Sequence, residues 1–124
     1  MRRLRWGLLA LILIVPPSAA APVEEIRALI EDVAASDCRF YRNGEWHTAE
    51  AAAAHLRRKL RIARWMGRSG TAEDFIEQAG SRSSVSGERY RVQCTDEAPR
   101  DSADWLRELL RAVRATDDAG AAAR

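Results

Sequence analysis

The sequence predicts an α+β domain of about four helices packed on a small two- to three-stranded antiparallel sheet, closed by one disulfide. Three observations predict it. Four segments carry apolar residues at helical spacing. An Asn43-Gly44 pair, flanked by aromatic residues, marks a two-residue hairpin. Cys38 and Cys94 each fall at the end of a strand, so a bond between them draws those strands into one sheet, with the helices on one face.

The N-terminus is read separately. Arg2, Arg3 and Arg5 precede a nine-residue apolar run, Gly7 to Val15, which is too short for the ~20 residues of a bilayer-spanning helix. Pro16, Pro17 and small residues follow. This is the pattern of a secretory signal peptide over residues 1–20, cut after Ala20, with no transmembrane span left after cleavage. Residues 21–115 are expected to form one small domain and residues 116–124 a frayed tail. Of 20 Lys+Arg and 18 Asp+Glu, the signal takes three arginines and no acid, which leaves 17 against 18, a net of −1. A near-neutral exported domain gives no support for nucleic-acid binding. Two cysteines in an oxidising compartment read as one disulfide.

The elements follow in order. In "PVEEIRALIEDVAAS", Val23, Ile26, Ile30 and Val33 make one helical stripe with Leu29 beside it, and Glu24 and Glu25 suit the helix N-terminus. Phe40 and Tyr41 favour a strand, Asn43-Gly44 turns it, and Trp46 starts the return. Thr48 caps the longest helix, whose face is Ala52, Leu56, Leu60 and Ala63, widened by Ala53, Ile62 and Met66. Gly67 and Gly70 end it. Thr71 and Asp74 have capping-box spacing for a short helix that buries Phe75, Ile76 and Ala79. "ERYRVQC" alternates as a half-buried strand, with Tyr90, Val92 and Cys94 on one face. Pro99 and Asp101-Ser102 announce a last helix with Trp105, Leu106, Leu109, Leu110 and Val113 inward.

The stretches "FYRNGEWHTAEAAAAHLRRK", "TAEDFIEQAGSRSSVSGERYRVQC" and "WLRELLRAVR" together resemble the YfeK-like family, small exported proteins of Gram-negative bacteria grouped as a domain of unknown function. The likeness spans roughly residues 24–115. It implies a periplasmic location and a small helical α+β domain, and it implies no activity.

Four features are candidates for function. Ser81, Ser83, Ser84 and Ser86 could hold a nucleophile, with His55 as base and Glu50 or Asp74 as orienter. The Gly-x-Ser-x-Gly elbow is missing, so turn-forming and capping hydroxyls are the expected role. Arg57, Arg61, Arg64 and Arg68 form one stripe of the long helix that could hold an anion or lipid headgroup. The ordinary expectation is a solvated face paired with Glu73, Asp74 and Glu77. His55 is expected at the border of the core, with ligand contact or pH sensing as the alternative. Trp46, Trp65 and Trp105 are expected to divide between core and edge, although Trp65, beside the stripe, could mark an interface. His47 and His55 lack zinc-ligand spacing to a cysteine, and no metal or cofactor is expected. The resulting reading is a non-catalytic binding or accessory module of the envelope. Its partner would be an envelope protein or a small anionic ligand, contacted by residues such as Asn43, His55, the arginine stripe and the serine loop. A small serine hydrolase and an anion or lipid-headgroup binder are the alternatives.

Overall fold

The computed structural model describes Ile12 and residues 21–123 apart from Ser69; the expected signal otherwise lies outside the described residues. The order is α1 (Pro22–Ala35), β1 (Arg39–Arg42), β2 (Glu45–Thr48), α2 (Ala49–Trp65), α3 (Ala72–Ala79), β3 (Arg91–Gln93), β4 (Arg100–Asp101) and α4 (Ser102–Ala122). Four helices thus pack on an antiparallel sheet of order β2-β1-β3-β4. The sheet has four strands where two to three were expected. The addition, β4, is two residues long, too short to show any alternation, and exists through its pairing with β3: Arg91 opposite Asp101 and Val92 opposite Arg100.

Local chemistry sets most boundaries. Pro22 opens α1, where its missing N–H costs nothing. Thr48 Oγ1 accepts from Ala51 N at 3.1 Å and caps α2. Thr71 and Asp74 complete a capping box on α3, each side chain bonding the other's backbone N–H at 3.1 Å. The hairpin residues Asn43 and Gly44 have φ of 50° and 86°. Two positive values in a two-residue turn are what the type I′ hairpin turn requires. Gly44→Val is expected to destabilise the domain by about 1 kcal/mol or more, because a β-branched residue resists φ > 0; a change near zero in a urea melt would remove that role from Gly44.

In the β1–β3 register Arg39 lies opposite Gln93 and Phe40 opposite Val92. Continued one residue outward, Cys38 meets Cys94, and the two form the disulfide. The inner face of the sheet supplies Phe40 and Val92 to a core completed by Ile26, Leu29, Ile30 and Val33 of α1, Leu56 and Leu60 of α2, Phe75 and Ile76 of α3, and Leu106 and Leu110 of α4. Arg114 straps three helices together: Nε donates to Glu25 of α1 at 2.8 Å, and Nη1 donates to Glu73 of α3.

Ile62 and Met66, contrary to expectation, do not widen the buried face of α2. They remain half-exposed on the flank toward α3, where an eight-residue helix leaves an open groove. The buried face is Ala53, Leu56 and Leu60. The expected tail at 116–124 is helical as far as Ala122, all of it exposed. Its alanines hold the helix by propensity without any core contact.

Candidate functional site

The serine loop is a tight turn built by its own hydroxyls. Ser83 is buried, and its Oγ accepts from Val85 N at 3.1 Å and Ser86 N at 3.2 Å. Ser83 N donates to Glu88 O, and Gly87 N donates back to Ser83 O, both at 2.9 Å. Ser86 Oγ accepts from Glu88 N at 3.2 Å and donates to Asn43 Oδ1 at 2.7 Å, which ties the loop to the hairpin turn. Ser81 Oγ donates to Glu77 O at the end of α3. Ser84 is exposed and lines the groove between α2 and α3. Asn43, Ser83 and Ser86 therefore form one connected loop assembly, with Ser81 bonded to α3 and Ser84 outside it. His55 stands elsewhere, in a cavity that no loop serine lines.

The cavity lies beneath the hairpin, between β1, β2, α2 and the start of α4. Its volume is about 40 Å³, and Phe40, Leu56, Tyr90 and Leu106 give it apolar walls. His55 Nε2 and Ser102 Oγ are both buried there with no hydrogen-bond partner. The His55 ring meets the edge of Tyr90 at 6.2 Å between centroids. Tyr90 is also held by Lys59, whose Nζ donates to the phenol oxygen at 3.1 Å and to Ala79 O at 3.2 Å, which closes the C-terminus of α3. Burial, followed by the charges of Arg42 and Lys59, lowers the His55 pKa from 6.5 to about 4. The imidazole is neutral at pH 7.

That shift gives stability a pH dependence. Between about pH 4 and 6.5 the unfolded chain binds a proton at this histidine that the folded chain refuses. Stability contributed by His55 is thus fully present above pH 6.5 and is lost as pH falls toward 4. Melting temperatures across that window are expected to fall less steeply in His55→Phe than in the parent; parallel profiles would refute the assignment.

The arginine stripe differs from its expected pairing. Arg57 Nη2 donates to Glu31 of α1 at 2.8 Å. Glu73 and Glu77 go to Arg114 and Arg107 on α4, and Asp74 caps α3. Among the described residues Arg61, Arg64 and Arg68 make no ion pair. Trp65 beside them is 88% exposed, at the edge of the molecule. Trp46 is exposed beneath the Arg39 guanidinium, and Trp105 packs edge-on to Phe40. Both cysteines are consumed by the disulfide, so the neighbouring Asp37 gains no thiolate with which to share a metal.

A family model described as a family of unknown function (DUF5329) matches residues 20–114, from before α1 through most of α4. The chain belongs to the DUF5329 family. A relative of the chain is the uncharacterized protein YfeK of Salmonella typhimurium, a Gram-negative bacterium. It is 37% identical over 94 residues, covering 73% of this chain and 77% of that protein. No solved structure matches the chain. The DUF5329 match takes in the loop assembly, the cavity and α2 alike, so family membership by itself points to none of them.

Ser102 is the cavity residue for which the sequence carries little signal. Along the chain it marks only a helix start beside Asp101, and 47 positions separate it from His55. The one available clue is that a helix start needs a single cap. Asp101 occupies the cap position, and Ser102 is already the first helical residue.

Proposed function

We propose that the protein is an exported, non-catalytic module of the cell envelope that binds reversibly to an anionic phospholipid surface through the C-terminal half of α2. Export is supported by the signal-like residues 1–20, by the disulfide and by a Gram-negative relative. The observation that carries the binding face is the segment 57–68, which holds six basic residues and no acid. Trp65, Ile62 and Met66 project from it at 88%, 49% and 50% exposure, between and beside arginines that have no acidic partner among the described residues.

By helical periodicity Trp65 falls between the arginine stripe on one flank and Ile62 and Met66 on the other. Ser84 lines the same groove as Ile62 and Met66. Arginines with a tryptophan and aliphatic side chains on one helix face suit the interfacial layer of a membrane. Each arginine near an anionic surface contributes about 1 kcal/mol, so Arg61, Arg64 and Arg68 give a weak, salt-sensitive attachment that apolar insertion strengthens. Among the described residues no helix is long and apolar enough to cross a membrane.

Co-sedimentation with phosphatidylcholine vesicles, with and without phosphatidylglycerol, tests the reading. The oxidised domain is expected to pellet only with phosphatidylglycerol and to be released by salt. Arg61→Glu with Arg64→Glu should abolish pelleting, and Trp65→Ala should weaken it. No pelleting with anionic vesicles sinks the proposal, and binding to polyglutamate in its place would assign the face to an acidic protein.

A further inference from the structure

We infer that the cavity between β1, β2, α2 and the start of α4 is a binding site for a small carboxylate anion of formate size, held by hydrogen bonds from Ser102 Oγ and His55 Nε2. This site is independent of the α2 surface.

The first support is that two polar atoms are orphaned in one place. Ser102 is 3% exposed, and its hydroxyl has no partner; His55 Nε2 is likewise buried and unbonded in the same cavity. Two unpaired buried polar atoms in one cavity are costly, and native proteins retain such groups where something else satisfies them. The second support is size. At about 40 Å³ the cavity offers roughly three times the ~10–15 Å³ that one water requires, which is room for three heavy atoms.

The third support is charge. None of the residues lining the cavity is acidic, and Arg42 and His47 stand at its rim. Ser102 is the first residue of a 21-residue helix whose cap, Asp101, makes no side-chain bond to it, because its carboxylate accepts from Arg89 instead. Ser102 N already donates to Tyr90 O at 3.0 Å, so the orphaned hydroxyl is the donor that the start of α4 presents to the cavity. A carboxylate satisfies both atoms at once: one oxygen accepts from Ser102 Oγ–H and the other from Nε2–H.

A proton linkage follows. The groups facing His55 are Arg42 on β1, His47 on β2, Arg58 and Lys59 on α2 and Tyr90 before β3, while the residue after α3 is Gly80 and α4 contributes Ser102. All are cationic or neutral, and together with burial they keep the imidazole unprotonated. An anion in the cavity offsets them, so binding takes up a proton and tightens as pH falls.

The test is a titration of the oxidised domain with sodium formate, followed by the His55 imidazole resonances and the Ala103 amide. Sodium sulfate, too large for the cavity, at matched ionic strength is the control. Formate is expected to shift both probes saturably, severalfold more tightly at about pH 5 than at about pH 7, and sulfate to leave them in place. Ser102→Ala, which removes one oxygen from a helical position, should weaken binding about tenfold, the loss of one charge-assisted hydrogen bond. His55→Phe should abolish it. The inference is overturned by any of three results: the same shifts with sulfate, full affinity in Ser102→Ala, or an affinity that does not change with pH.

Discussion

Breaking the Cys38–Cys94 disulfide is expected to cost the domain about 4 kcal/mol. The bond closes a loop that spans 56 positions of sequence, from the approach to β1 to the residue after β3. The chain-entropy relation for a loop of that length gives about 4 kcal/mol, close to the whole stability of a marginal small domain. The measurement is a urea titration of the mature domain with and without reductant, or of the Cys38→Ala, Cys94→Ala pair. The midpoint should fall far enough to leave a substantial unfolded fraction without denaturant at 37 °C. A shift worth less than about 1 kcal/mol would mean that the sheet holds the loop closed unaided.

Leu29→Ala is expected to be the most damaging single truncation, at about 2–5 kcal/mol. Leu29 is 0% exposed at the middle of α1, the helix that packs on α2, α3 and α4 together. A void there is walled by three helices whose positions are fixed by other bonds, the Arg114 strap among them, so collapse around it is limited. In a domain with few fully buried large side chains, the loss takes a large share of total stability. Equilibrium denaturation of the oxidised variant reads it directly, and a cost below about 1 kcal/mol would show that α1 can settle into the gap.

The cysteine pair and the place of Leu29 are legible in the amino-acid sequence, and so is most of the fold. Ile26, Leu29, Ile30 and Val33 repeat at helical spacing. Thr48 and the Thr71–Asp74 pair mark helix starts by chemistry that acts within one turn. Asn43-Gly44 requires a turn because few other residue pairs accept two positive φ values. The candidate sites are less legible. The serine loop draws attention as chemistry, yet Ser83 and Ser86 satisfy backbone groups within five residues and the neighbouring hairpin. Ser102 draws none, although it is the hydroxyl left without a partner.

What the sequence by itself determined is what depends on neighbours along the chain: the helix caps, the hairpin turn, the apolar periodicities and the pair of cysteines available for one bond. Only the tertiary structure decided which flank of α2 is covered, where β4 joins, and which acids reach which arginines. Periodicity places Ile62 and Met66 on a flank of α2, but the eight-residue length of α3 leaves that flank open, while Glu73 and Glu77 face α4 and so leave Arg61 and Arg64 without them. The cavity between His55 and Ser102 belongs to the same class, since its walls come from strands and helices that meet only when the sheet and helices close on one another.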